Sequence, residues 1–197
     1  MSVAPAPRLI LASTSPYRRA LLARLRLDFE CIAPDVDESR QPAEPPLELA
    51  QRLARLKAES VATARAGAVV IGSDQVAVLG DDVLGKPGTT ENCIEQLHRS
   101  SGREVVFLTA VHVVSGVTVS AESHVDRTVV RFRALGDGEI RRYVATENPV
   151  DCAGGFKAES LGISLFDRIE SGDPTGLTGL PLIWLCAALR RAGIPVP

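Results

Sequence analysis

The sequence LILASTSPYRRALL (residues 9–22) joins a short apolar run to a second apolar segment through a cluster of hydroxyl groups and two arginines. Residues 8–12 predict a buried strand. Ser15 followed by Pro16 predicts the start of a helix, because serine is a favourable N-cap and proline fits the first helical position. A helix N-terminus presents free N–H groups and the positive end of the helix dipole, so this junction favours an anion such as phosphate. A plain helix cap beside solvated arginines would account for the same residues, and this stretch alone leaves that alternative open.

Farther along the chain, the apolar patterns predict alternating strands and helices followed by a run of strands. Strands are expected at 28–33, 68–74, 103–115, 117–132 and 163–171, with a hairpin at 76–85. Helices are expected at 47–67, 89–102, 136–146 and 179–193, and four prolines mark 34–46 as a loop. This order predicts an α/β fold in which a mixed β-sheet is flanked by helices.

Length and charge limit the classes of protein that the sequence can represent. The chain has 197 residues, which suits one large domain or two small lobes around one cleft. Its net charge of −2 provides no bulk cationic field that would gather nucleic acid or an anionic membrane. We therefore expect neither a stable complex with nucleic acid nor association with a membrane.

The cysteines and histidines do not form the spacings of a structural zinc site. The four cysteines contain no C-x-x-C pair, and the three histidines form no H-E-x-x-H motif, so reduced thiols in a cytosolic core are expected. The apolar run at 9–12 is too short for a signal peptide, and the run at 180–189 is too short to span a bilayer. We therefore expect a mature, cytoplasmic chain. The motifs of P-loop and dinucleotide-binding folds are also missing from the sequence.

Carboxylates follow two of the predicted strands. Asp74 stands at the expected carboxyl end of the strand at 68–74, the edge of an open α/β sheet at which ligands usually lie. Asp37 and Glu38 follow the strand at 28–33. If these strands are neighbours, the acids converge and suit either a hard divalent cation or a base with a raised pKa. A turn cap at Asp74 and a solvated acidic loop are the simpler alternatives.

Two lysines add cationic candidates to this set. Lys57 continues an apolar stripe formed by Leu49 and Leu53 at four-residue spacing, so its side chain either reaches solvent or points at an anion in a cleft. Lys86 lies in a Gly-Lys-Pro turn, where an exposed lysine usually has no function. Together with Arg18 and the predicted helix N-terminus, these acids and cations are suited to metal-assisted attack on a polyphosphate.

The chain resembles the Maf family of nucleotide pyrophosphatases in a series of ordered motifs. They are LILASTSPYRRALL at 9–22, DE at 37–38, KA at 57–58, GSDQV at 72–76, GKP at 85–87, SSGR at 100–103, AGGFK ending at Lys157 and GLPL at 179–182. The resemblance implies a single domain (1–197) with two lobes around a central cleft, a mixed α/β fold related to inosine-triphosphate pyrophosphatases. It also implies hydrolysis of nucleoside triphosphates to monophosphate and pyrophosphate with a divalent metal cation, Mg²⁺ or Mn²⁺, and a homodimer.

The motifs assign roles to particular residues. By this resemblance Asp74 is the proton acceptor, and the catalytic cleft is completed by Ser13, Arg18, Glu38, Lys57 and Lys86. Glu38 and Asp74 are the implied metal ligands. The expected chemistry is attack by a water on the α-phosphorus in line with departing pyrophosphate, while the cations stabilise the charge that develops.

Three further residues resemble the branch of the family that acts on 7-methyl-GTP: Tyr17, Gln75 and Glu159. The commoner pattern of the family has arginine in place of Tyr17 and threonine in place of Gln75. A purine methylated at N7 carries a positive charge, which favours stacking on an aromatic ring and pairing with a carboxylate, whereas an arginine would repel it. A packing role for the Tyr17 ring and a surface role for Glu159 are the alternatives.

Other functions fit the sequence less well. The nearest alternative is a family member specific for dTTP and UTP, against which Tyr17 and Gln75 argue. A regulatory binding protein is a second alternative, since the family is associated with septum formation. Binding of single-stranded nucleic acid would need a cationic stripe interleaved with aromatic residues, which the sequence lacks. The favoured function is house-cleaning hydrolysis of 7-methyl-GTP.

Overall fold

The computed structural model describes residues 7–197, which form a mixed β-sheet with helices on both faces. The strands are β1 (Leu9–Ala12), β2 (Glu30–Ile32), β3 (Val69–Leu79), β4 (Asp82–Leu84), β5 (Glu104–Ser115), β6 (Ser120–Phe132) and β7 (Phe166–Glu170). The helices are α1 (Pro16–Ala23), α2 (Pro46–Ala62), α3 (Thr90–Ser100), α4 (Asp137–Glu147) and α5 (Leu182–Arg191). Residues 1–6, which the expected domain 1–197 includes, lie outside the described residues.

The sheet has the order β2-β1-β3-β5-β6-β7, and β4 pairs with β3 off this path. Strands β1, β2 and β3 are parallel, because helical crossovers connect them, while β3, β5, β6 and β7 are antiparallel neighbours. The predicted mixed α/β fold is therefore confirmed.

Strand β3 is longer than the sequence pattern predicted. We expected a strand ending at Asp74 and a separate hairpin at 76–85, but one continuous strand runs from Val69 to Leu79 and only its last residues pair with β4. Strand β1 ends at Ala12, opposite Gly72, so Asp74 lies just beyond the parallel part of the sheet. The candidate base is therefore in the middle of a strand, although it still borders the carboxyl end of β1.

Separate hydrophobic cores lie at the two ends of the long strands. At one end, α1 and α5 pack on one face of the sheet and α2 packs on the other. At the other end, α3 and α4 surround a core that contains Phe107, Phe132 and Tyr143. Phe156 packs edge-to-face against Phe107 and Phe132 in this second core. These cores divide the domain into two lobes, as expected, and a cleft lies where β3 passes between them.

Several element boundaries differ from the predictions. Helix α2 ends at Ala62 rather than at residue 67, and Gly67 takes a positive φ in the following turn. Residues 161–165 form a 3₁₀ turn before β7, although we had predicted a strand from 163. Helix α5 begins at Leu182, because the preceding residues form the 3₁₀ turn Gly176–Thr178 and a left-handed Gly179. Within residues 7–197, none of the helices combines the length and the apolarity that crossing a bilayer demands.

Candidate active site

The nine residues to which the motifs assign a role all line one cleft between the two lobes, with a volume of about 590 Å³. They are Ser13, Tyr17, Arg18, Glu38, Lys57, Asp74, Gln75, Lys86 and Glu159. The sequence therefore identified residues that converge in space, although their positions in the chain are far apart. Their individual chemical roles stay predictions.

A buried lysine lies at the centre of the cleft between two carboxylates. The Lys57 Nζ donates to Asp74 Oδ1 over 2.7 Å and to Glu38 Oε2 over 2.8 Å. Lys57 is only 5% exposed and Asp74 only 7%, so this part of the network is largely shielded from solvent. The lysine therefore does not extend to solvent, which was the commoner of the two alternatives for its position on α2.

The close approach of α2 to the sheet places Lys57 beside Asp74. Gly72 permits this approach, because a Cβ there would lie 2.2 Å from the backbone oxygen of Ala54 and 2.5 Å from the backbone nitrogen of Ala58. Asp74 follows Gly72 by two residues on β3, so both face the helix. The lysine at the end of the Leu49 and Leu53 stripe consequently meets the carboxylate of the strand.

The loop between β2 and α2 brings Glu38 to the cleft but turns Asp37 away from it. Asp37 accepts a hydrogen bond from the Ser39 backbone nitrogen and does not line the cleft. The convergence of both acids was conditional on β2 and β3 being neighbours, and that condition is not met because β1 lies between them. Glu44 fixes the loop to α2, since its carboxylate accepts two hydrogen bonds from Arg52 at 2.6 and 2.8 Å. These bonds lower the pKa of Glu44 to about 2.

The start of α1 forms the candidate phosphate-binding end. Ser15 is the N-cap, as predicted, and its hydroxyl accepts from the Arg18 backbone nitrogen. The buried Ser13 hydroxyl accepts from the Ser15 nitrogen at 3.1 Å. Arg18 donates from Nε to the Gly179 carbonyl at 3.0 Å, which fixes the guanidinium in the cleft. Desolvation lowers the Arg18 pKa, and the negative charges of Asp74 and Glu38 oppose that shift.

Gln75 connects β3 to the 3₁₀ turn Gly176–Thr178. Its Nε2 lies within hydrogen-bond distance of the Gly176 and Leu177 carbonyls and of the Thr109 hydroxyl. The neighbouring Ser73 hydroxyl lies 2.9 Å from the Gly179 carbonyl that also accepts from Arg18. Gln75 therefore holds the wall of the cleft in position through its amide nitrogen.

Tyr17 and Glu159 both line the cleft, and their role in base recognition stays a prediction. The Cys152 Sγ is 3.7 Å from the Tyr17 hydroxyl oxygen. Burial is the main cause that raises the pKa of Tyr17, and the negative charges of Asp151 and Glu159 raise it further. The ring of Tyr17 is only partly buried, so part of it is available to a ligand.

Lys86 lies in an exposed segment between β4 and α3. This segment forms part of the cleft on the side of the second lobe. The residues that follow it are anchored, because Pro87 is buried and the Gly88 nitrogen donates to the Val150 carbonyl. Lys86 and Lys57 line the same cleft, so both can contact one anionic ligand.

The donor set of the cleft fits a hard cation that takes most of its ligands from a substrate. Among residues 7–197 no group of three or more histidine, cysteine or acidic side chains is arranged to hold a metal ion. Glu38 and Asp74 are brought together by sharing the Lys57 ammonium. Mg²⁺ is commonly bound through one or two carboxylates together with phosphate oxygens and water, so this pair suits it.

Sequence reasoning missed other residues that line the cleft: Asp151, Cys152, Phe107 and Leu177. The apolar members are core residues by pattern, and only the tertiary fold exposes an edge of each one to the cleft. Of the four cysteines, only Cys93 is buried; Cys31 is exposed and the other two are partly buried, so the expectation of core thiols holds for Cys93 alone.

Comparison with known proteins gives a consistent result. A family model described as "Maf-like protein" matches residues 8–192. The 7-methyl-GTP pyrophosphatase of Alkalilimnicola ehrlichii is 54% identical, over 98% of this chain and 98% of its own length. The protein of that name from Pseudomonas syringae pv. tomato is 50% identical, over 97% of this chain and 100% of its own. Among solved structures, the Ham1 protein of Staphylococcus aureus matches 64% of this chain and 71% of its own, with 19% identity and a TM-score of 0.45.

Proposed function

Because the chain belongs to the Maf family, we propose that it hydrolyses 7-methyl-GTP to 7-methyl-GMP and pyrophosphate. The observation that supports this most strongly is one cleft that holds the Asp74–Lys57–Glu38 network together with Tyr17 and Glu159. The relatives named 7-methyl-GTP pyrophosphatase extend over nearly the whole chain, which supports the same substrate.

The triphosphate binds among the cations of the cleft. The N-terminus of α1 and the Ser13 hydroxyl offer donors to phosphate oxygens, and Arg18, Lys57 and Lys86 supply positive charge from both lobes. Asp74 accepts a proton from a water that attacks the α-phosphorus. The bond from the α-phosphorus to the oxygen that bridges to the β-phosphorus then breaks, and pyrophosphate leaves with its charge stabilised by the cations.

A divalent cation, Mg²⁺ or Mn²⁺, would be held by Glu38 and Asp74, and when bound it would neutralise phosphate charge as a Lewis acid. Lys57 offsets one of the two negative charges of Glu38 and Asp74, and a bound divalent cation would offset the remaining one. Tyr17 stacks on the methylated base, and Glu159 accepts hydrogen bonds from its edge and offsets its charge. The proposed setting is cytoplasmic removal of methylated nucleotides.

The test measures pyrophosphate release from 7-methyl-GTP, GTP, dTTP and UTP with Mg²⁺ or Mn²⁺ and with excess chelator. We expect 7-methyl-GTP to have the highest kcat/KM and chelation to abolish turnover. Asp74→Asn should lower kcat by about 10² to 10⁴-fold, the usual contribution of a general base. Asp167→Asn is the matched control, because it removes an exposed carboxylate on β7 outside the cleft. Faster turnover of dTTP or UTP would contradict the substrate, and an active Asp74→Asn variant would contradict the mechanism.

A further inference from the structure

The carboxylates of the cleft fall into two classes. Glu38 and Asp74 are both paired with Lys57. The other two carboxylates that line the cleft are Asp151 and Glu159, and within residues 7–197 neither forms an ion pair with a basic side chain. Both are exposed, so their charges are available to a ligand. Unpaired acids are unexpected in a cleft for a polyphosphate, because they repel its charge.

A short network joins one of these acids to the candidate base platform. The Cys152 Sγ lies 3.4 Å from Asp151 Oδ1 and 3.7 Å from the Tyr17 hydroxyl oxygen. The thiol has one proton and can therefore donate to only one of these neighbours at a time. The Asp151 carboxylate and the Tyr17 hydroxyl therefore both contact the same sulfur atom. The negative charges of Asp151 and of Glu159 both raise the pKa of Tyr17, after the larger effects of burial and of Cys152.

We propose that Asp151 is a further specificity residue, which forms with Glu159 an anionic rim around Tyr17 that selects a base carrying a positive charge. This inference rests on the proposed function and extends its account of base recognition. A purine methylated at N7 brings a positive charge to the rim, whereas an unmodified guanine brings none. The two acids therefore favour the methylated base through its charge rather than its shape.

The test compares three substrates whose bases differ in charge and in shape. They are 7-methyl-GTP, GTP and 7-methyl-7-deaza-GTP, in which carbon replaces N7 so that the ring keeps the methyl group but is neutral. Asp151→Asn should lower kcat/KM for 7-methyl-GTP by about two- to fivefold, the range for an exposed charge pair. Turnover of the two neutral bases should be unchanged or slightly higher. The loss should also become smaller as salt is raised.

Asp167→Asn is again the control, since it removes the same charge from an exposed site outside the cleft and should leave the substrate ratios unchanged. An equal loss on all three substrates would overturn the inference, because it would indicate a role in folding or in triphosphate binding. An unchanged ratio in Asp151→Asn would overturn it as well. These results are distinct from a failure of the proposed function, in which the unmodified protein itself would show no preference for 7-methyl-GTP over GTP.

Discussion

Gly72→Ala adds a single methyl group at the contact between α2 and β3, and its effect can be worked out from the distances. The new Cβ would lie 2.2 Å from the Ala54 backbone oxygen, whereas ordinary contacts begin at 3.4 Å. The helix backbone would therefore have to move by about 1.2 Å. Overpacking of this kind typically costs about 1–3 kcal/mol, and rigid backbone atoms on the opposing side favour the upper part of that range.

The displacement also reaches the candidate active site. Lys57 is adjacent to Ala58, whose backbone nitrogen would be only 2.5 Å from the new methyl group. A shift of α2 would separate the Lys57 ammonium from Asp74, to which it now donates over 2.7 Å. A misplacement of about 1 Å can lower a rate by roughly 10²-fold, so we expect a comparable fall in kcat/KM for 7-methyl-GTP.

The measurements are urea unfolding followed by circular dichroism and the kinetics of pyrophosphate release at a temperature where both proteins are folded. Gly138→Ala is a control of opposite sign, because Gly138 is exposed in α4 and its nearest neighbour is the flexible end of Arg142 at 3.3 Å. That change should stabilise the protein by up to about 1 kcal/mol through helix propensity and leave activity unchanged. A Gly72→Ala protein with unaltered stability and unaltered kinetics would refute the argument that this contact positions Lys57.

Two further predictions follow from the loop and from the cleft wall. Because the Glu44 pKa is lowered from an ordinary 4.5 to about 2, its stabilising effect should be complete above pH 4.5 and be lost as the pH falls towards 2. Denaturant unfolding should therefore show Glu44→Gln less stable than the unmodified protein at neutral pH, with the difference vanishing near pH 2; a constant difference would contradict the assignment. Tyr17→Arg should lower the ratio of kcat/KM for 7-methyl-GTP over GTP by roughly tenfold, since it replaces a stacking ring by a like charge. Tyr17→Phe should keep the preference, and equal losses on both nucleotides after Tyr17→Arg would remove Tyr17 from base recognition.

The sequence predicted best those features that depend on local chemistry. The cap formed by Ser15 and Pro16 is local, because both residues act on the backbone of their own helix turn. The position of Lys57 on an apolar stripe was also recognisable, since helical periodicity alone assigns it to the inner face. This periodicity does not predict whether the Lys57 ammonium reaches solvent or contacts an anion, because that depends on which strand packs against α2.

The features that the sequence did not predict depend on contacts between distant segments. The polar residues around Asp74 resemble the end of a strand. However, β3 continues beyond Asp74 because it pairs with β5 as far as Val78. Asp37 and Glu38 are equivalent by composition, and only the attachment of their loop to α2 determines which of them enters the cleft. Asp151 has no local pattern of its own, and its candidate role is visible only because folding brings Cys152 to Tyr17.

The distribution of charge explains how one cleft can receive a ligand with charges of opposite sign. Lys57 offsets one of the two carboxylate charges that a triphosphate meets in this part of the cleft. Arg18 remains charged in spite of desolvation, because guanidinium groups do not lose their proton under ordinary conditions. The paired acids and the free cations therefore suit the phosphate end of the ligand, while the unpaired acids beside Tyr17 suit a cationic base. A nucleotide with an unmodified base gains from only the first of these sets and is repelled by the second, so the unpaired acids distinguish the two bases by their charge.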